Sequence, residues 1–337
     1  MKLKVGTYLP NFAYGGDGID HAARLRRWIT RSEELGLDSI WVTDHLLRAR
    51  DMYATAWLEP MSTLAFAASI TRRILLGPGV LLLPLRNPAI LAKEIVTLQS
   101  LSGGRFIFGV GTGHYGPELE AAGAHVSERG RRTDEVLDLV KRLVAGEAVT
   151  HEGRFFHLND VTIEPSPVPL PVWVAGGSQI AHRESVEAPV MHPNVARRIA
   201  RSDGWFSRPS ATPQQVADDW RLLRPYLEEA GREPSQVVLA HGQWLHLTEE
   251  RDPAKAREIQ HAAAVKIVGR SRARELLEQS YLFGTLDEVF EGCRKRAEIG
   301  VQHLIIHPYT DDPDQLELWG RDLLPRLKEL DVGIPRP

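Results

Sequence analysis

An aspartate followed directly by a histidine, Asp44-His45, ends the apolar run at 39–43. An imidazole near neutrality beside a carboxylate can take up and return a proton, the most direct chemistry this chain offers. The same pair could also be inert, with Asp44 capping a loop and His45 packing. A third reading brings His45 together with His114 and His307 around a metal. The chain has no HxH pair and no HxxxH flanked by a carboxylate, so no metal is expected. Gly111-Thr-Gly113-His-Tyr-Gly116 is formally GxGxxG after an apolar run. Pro117 follows at once, and the acids about 20 residues on, Asp134 and Glu135, fall in a helical pattern, which argues against a dinucleotide fingerprint. Gly176-Gly177-Ser178 offers backbone N–H groups and a hydroxyl, which suit a phosphate or an ordinary turn. Gly79, inside an otherwise bulky apolar run, suggests a bulge or the close approach of a flat ligand.

The elements that must position these residues are clearest from Ile74 to Gly116. A short apolar run at 74–83 reads as a buried strand. Asn87 and Pro88 then start a helix, as N-cap and first helical residue, with Ile90, Leu91, Ile95, Leu98 and Leu101 at helical spacing. Gly103-Gly104 stops it, and 105–110 is a second buried strand, completing a parallel βαβ unit. Strands are expected near residues 3, 38, 74, 105, 172, 203, 236 and 301, each followed by helix. Ser127 is a candidate N-cap for the helix to Ala145, and a hairpin turning at Glu152-Gly153 is expected at 149–156. Eight alternating units predict an α/β fold, a (β/α)8 TIM barrel, over an open sheet. The chain reads as a single domain, 1–337, with insertions near 147–171, 179–193 and 248–284. Ligands bind such barrels at strand exits, which here carry Asn11, Asp44, His45, Gly79, Thr112, His114, Gly176–Ser178, Trp244 and His307.

Composition narrows the partners. The chain has 337 residues, 43% hydrophobic and 25% charged, a globular balance. A formal net charge of −3, with Lys and Arg scattered, gives no nucleic-acid or membrane footprint. Cys293 alone permits no internal disulfide and suits a reducing compartment. No signal core and no run long enough to span a bilayer is present, so a cytoplasmic protein acting on a small molecule is expected.

Seven segments carry a resemblance. IWVTDHLL at 40–47, LGPGVLLLPLRNPAILAKEIVTLQSLSGGRFIFGVGTG at 76–113, ERGRRTDEVLDLV at 128–140, GRFFHL at 153–158 and PVWVAGGS at 171–178 resemble the bacterial luciferase-like superfamily. VARRIARSDGWF at 195–206 and FGTLDEVFEGCRKRAEIGVQHLIIHP at 283–308 extend the likeness over nearly the whole chain. The resemblance implies a (β/α)8 barrel that holds FMN or the deazaflavin coenzyme F420 and oxidises or reduces small organic substrates. The Asp-His pair and the segment RNPAILAKEIVTLQSLSGGR look most like the deazaflavin branch. By that likeness His45 lies near the reactive ring carbon, and a non-proline cis peptide supporting the ring falls at Gly79–Val80. Thr112 and His114 would lie beside the ring system, and Asp44 would set the His45 tautomer or touch the cofactor. Gly176, Gly177, Ser178, Asn194 and Val195 would hold the phosphate, leaving Asn11, Trp244 and His307 for substrate. A homodimer is implied by the same analogy.

Two departures qualify the likeness. His114 stands where some deazaflavin dehydrogenases carry a glutamate, so their sugar-phosphate substrate is not implied. Residues 179–193 intervene where the family passes directly from GGS into a helix. The expected reaction is hydride transfer with F420, or monooxygenation with reduced FMN and oxygen. A cofactor-binding barrel without catalysis and a metal-dependent barrel hydrolase are the competing readings.

Overall fold

The computed structural model describes residues 1–13, 20–48, 53–178, 190–269 and 272–333. Eight parallel strands form the frame: β1 (Lys4–Tyr8), β2 (Ser39–Val42), β3 (Leu75–Pro78, resuming at Leu81–Leu82), β4 (Phe108–Gly111), β5 (Val172–Gly176), β6 (Gly204–Ser207), β7 (Val238–Leu245) and β8 (His303–Pro308). Each starts within a few residues of its expected place. Hydrogen bonding runs in the order β3-β2-β1-β8-β7-β6-β5-β4. The third strand closes the ring because it is in two pieces: the first pairs with β2 and the second with β4. A further bridge joins Leu76 to Phe106. This is the (β/α)8 barrel that the alternation predicts.

Two-residue periodicity sorts the strand side chains. Val5, Ile40, Val42, Val110, Val174, Leu239, Leu304 and Ile306 face outward and pack under the helices. Tyr8, Trp41, Ile107, Trp173, Phe206, Ala240 and Ile305 fill the barrel. Trp41 stacks on Trp173 with ring centroids 5.2 Å apart, and its indole N–H donates to Ser39 Oγ at 2.7 Å. Gly77 leaves room for that ring: a Cβ there would lie 2.6 Å from Trp41.

The helices begin and end where local chemistry permits. Asn87 accepts from the Ala89 and Ile90 amides at 3.0 and 3.2 Å, and Pro88 opens α3 (Pro88–Ser102), which stops at Gly103 with φ 67°. Thr212 and Gln215 form a reciprocal capping box on the helix Pro213–Glu229. Three local expectations are corrected. Ser127 is not the cap of the helix Arg129–Val144, which starts behind Glu128 without a side-chain bond. The hairpin pairs Val149–Glu152 with His157–Val161, Glu152 opposite His157, so four residues turn it rather than two. Ile90 and Leu101, expected on the buried face of α3, are 62% and 67% exposed. The region 248–284, expected as an insertion, holds two helices, Pro253–Val268 and Arg274–Ser280. The glycine loop at 15–18 and most of 179–193 lie outside the described residues.

Candidate active site

The mouth of the barrel is built from strand exits. β2 delivers Thr43, Asp44 and His45, and the two acidic or basic neighbours face different partners. Asp44 is 4% exposed; Arg86 Nη2 lies 3.0 Å from both its oxygens, and the Leu82 amide donates to Oδ2 at 2.9 Å. Burial pushes its pKa up, against the pull of Arg86 and the Leu82 amide. Asp44 therefore fixes the second piece of β3 and does not set the His45 tautomer, a correction to the expectation.

That task falls to Glu118, which the sequence reading missed. Its carboxylate is 1% exposed, and its Oε1 and Oε2 lie 3.1 and 3.2 Å from His45 Nδ1. Oε1 also accepts from the Leu47 amide at 3.1 Å. A carboxylate can only accept, so His45 carries its proton on Nδ1 and leaves Nε2 as the unprotonated ring nitrogen of the neutral form. Glu118 sits on the short helix Gly116–Ala121, begun by Gly116 and Pro117. The available signal was an acid four residues after His114 in a helix leaving β4. His114 itself is on the exposed rim, where surrounding protein atoms first, and His45 second, lower its pKa.

The Gly79–Val80 peptide bond is cis. The Tyr8 hydroxyl donates to the Gly79 carbonyl at 2.9 Å, and a Cβ on Gly79 would collide with that hydroxyl. The Gly79 amide in turn donates to the Val42 carbonyl at 2.8 Å. Tyr8 and Gly79 thus pack directly against each other at the break in β3; β4 pairs with the second piece of that strand, and beyond it the Thr112 hydroxyl is 3.4 Å from the Gly113 carbonyl.

Below this lies an aromatic column. His307 is stacked between Tyr8, at 4.3 Å, and Trp244, at 3.4 Å, with Thr43 Oγ1 3.2 Å from its Nε2. Burial lowers the His307 pKa to about 3, so the ring is neutral at physiological pH. His45 is 5.1 Å from Tyr53 and 6.3 Å from Trp57. His307 and Trp244 thus form the floor of the mouth. Asn11 is different: it is fully buried, donating to the Thr43 and Leu58 carbonyls at 3.0 and 3.2 Å. Its carboxamide braces loops instead of facing a substrate.

The glycine turn after β5 is placed as expected, but its Ser178 amide is engaged. The Ser178 amide donates to both oxygens of Asp219 at 3.0 Å. The helix α6 (Pro193–Ala200) is capped by His192, whose Nδ1 accepts from the Asn194 amide at 3.2 Å, while the Val195 amide donates to the His192 carbonyl at 2.9 Å. Val195 packs where a side chain on Gly176 would be. Among the described residues, no three His, Cys, Asp or Glu side chains group as metal ligands, and no helix is long and apolar enough to cross a membrane.

An eight-stranded barrel with a carboxylate-braced imidazole at one strand exit and a cis bulge at the next defines a class. Residues 1–303 match the family described as luciferase-like monooxygenase, and the chain belongs to it. It is 31% identical to an F420-dependent glucose-6-phosphate dehydrogenase of Intrasporangium calvum, over 97% of this chain and 100% of that one. Two solved structures share the fold. An F420-dependent secondary alcohol dehydrogenase, holding an F420–acetone adduct, superposes with a TM-score of 0.79 at 19% identity, covering 98% of this chain and all of the other. A type II Baeyer-Villiger monooxygenase from Pseudomonas putida, in complex with FMN, gives 0.71 at 20% identity, covering 96% of this chain and 98% of the other.

Proposed function

We propose that the mouth of this barrel carries out oxidation–reduction on a small organic substrate, with His45 as the residue at the reacting centre. The chain is a luciferase-like oxidoreductase that takes coenzyme F420 or FMN. The observation that carries the assignment of His45 is its hydrogen bond to a buried carboxylate, Glu118, at 3.1 Å. A buried acid that accepts from an imidazole Nδ1 and from a backbone amide has no spare role, and it leaves one ring nitrogen to exchange protons.

A flat ring system fits the residues present. The cis bend at Gly79–Val80, held by the Tyr8 hydroxyl at the break in β3, is the support this reading gives the ring. Bound there, F420 supplies hydride transfer, and reduced FMN supplies electrons for oxygen insertion. The chain's own residues do the rest. Tyr8 keeps the ring's support in place through Gly79, His45 Nε2 holds or delivers a proton, and Glu118 fixes the ring that carries it. Trp57, Trp244 and Tyr309 line the same cluster and exclude water.

Parallel titration of the purified chain with F420 and FMN distinguishes the cofactors. His45→Ala then tests the mechanism: turnover should fall about 10²- to 10⁴-fold with cofactor affinity nearly unchanged. Undiminished turnover in that variant removes His45 from the reaction. Glu118→Gln should lower turnover less and alter the pH profile. Combined with His45→Ala it should add nothing further, because both act through one ring.

The same reading places the protein in the cytoplasm as a homodimer. A lone cysteine, Cys293, buried with its thiol pushed up to about 12, suits a reducing compartment, which cell fractionation tests. The exposed Ile90 and Leu101 on α3 support self-association.

A further inference from the structure

Arg208 is the first residue past β6. Ser207 pairs with Gly176, so Arg208 stands across from Gly177, and a Cβ on Gly177 would lie 3.9 Å from Arg208 Cβ. Its Nε and Nη2 are shielded from solvent and have no hydrogen-bond partner among the described residues. Among the described residues no carboxylate lies within ion-pair distance of it; Asp219 influences it electrostatically without pairing. A guanidinium left in this state is a donor fork awaiting an acceptor.

The neighbouring donors are in the opposite condition. Of the five residues expected to meet a phosphate, Ser178, Asn194 and Val195 already donate their amides, to Asp219, to His192 Nδ1 and to the His192 carbonyl. An anion placed beside the Gly176-Gly177-Ser178 turn finds these backbone donors spent, a buried carboxylate close by, and one free cationic fork. Phosphate oxygens match two parallel N–H groups of an arginine, and charge-assisted bonds of this kind are the strong ones.

We propose that Arg208 binds the phosphate of the cofactor and supplies the positive charge that the glycine turn does not. The inference rests on the reading that a phosphorylated flavin or deazaflavin occupies the barrel mouth. Asp219 opposes it: its carboxylate holds the Ser178 amide and repels a second negative charge. The phosphate site of this chain is therefore a side-chain site, with its specificity for an anion set by one arginine.

Ligand pairs that differ only in the phosphate test this on the full chain. FMN and riboflavin are such a pair, and F420 is compared alongside them with the ribityl deazaflavin that lacks both its phosphate and the tail attached beyond it. Dissociation constants are read by fluorescence for the wild type, Arg208→Met and Arg208→Lys. Arg208→Met should weaken the phosphorylated ligand on the order of tenfold to a hundredfold. The phosphate-free ligand should change less than about twofold, and Arg208→Lys should fall between. The melting temperature of Arg208→Met should not drop, since unpartnered donors are being removed. Asp219→Asn should tighten FMN or F420, because Asn Oδ1 still accepts from Ser178 while the repulsion is gone. Equal weakening of both members of a pair, or unchanged FMN and F420 affinity, overturns the role of Arg208. A wild type that binds neither FMN nor F420 overturns the functional reading and this one together.

Discussion

Single side chains at the mouth divide into those that do chemistry and those that hold the ones that do. Tyr8 is of the second kind: its hydroxyl reaches the carbonyl of Gly79, 71 positions away in sequence. Tyr8→Phe keeps the ring stacked on His307 and removes only that donor. It should cost about 1 kcal/mol in urea unfolding and loosen cofactor binding several-fold. Wild-type values for both would show that the bond holds nothing. On the proposed reading His45 is of the first kind and Glu118, which holds it, of the second, and their connection explains what sequence reading can and cannot reach. Asp44-His45 was visible as a pair because adjacency suggests partnership. The partnership that exists joins residues 73 apart, through a helix of one and a half turns. Nothing in periodicity or spacing announces which carboxylate will face which imidazole. Asn11 and Asp44 were misread for the same reason: a polar residue at a strand exit can point into the mouth or brace its walls, and partners decide.

Elements are more legible, because the signals that make them are local. All eight strands and the caps at Asn87 and Thr212 follow from apolar runs, prolines and hydroxyl or amide side chains close in sequence. The break in β3 was foreshadowed by Gly79, and what closed the ring was not, since a strand shared between two neighbours depends on the whole circle. Helix α3 shows the limit differently. Its spacing made one apolar stripe of five residues, yet the barrel covers only part of it. Ile90 and Leu101 are eleven residues apart, three turns of helix, and so lie on one face. If that face joins two copies, wild-type chain should sediment as a dimer and Ile90→Glu/Leu101→Glu as a monomer with unchanged far-UV signal. A monomeric wild type at micromolar concentration refutes the homodimer.

The whole barrel responds to pH through its interior. Burial lowers His303 to about 4 and His307 to about 3, from about 6.5 in an unfolded chain. Between those values the unfolded chain binds more protons than the folded one, so stability is full above pH 6.5 and falls as pH drops toward 4 and 3. At pH 5 each ring should cost about 2 kcal/mol. Urea midpoints at pH 7.5 and 5.0 read the total, to which His241, lowered by burial in the same way, also contributes, and His303→Gln should remove about a third of the difference or less. A midpoint as sensitive to acid in the variant as in the wild type would place the proton uptake elsewhere. This behaviour was not foreseeable from thirteen scattered histidines, because only the closed ring decides which of them lose water.

The rings of Trp41, Trp173 and Phe206, with Ile107, Ala240 and Ile305, leave no passage through the lower end of the cylinder. Everything that visits the reacting centre must enter and depart by one doorway. Whichever guest arrives first lies deeper, and the later one roofs it. If the proposed coenzyme lies at that opening, it narrows the same door its substrate must use, and the order of loading becomes a consequence of the plug at the far end.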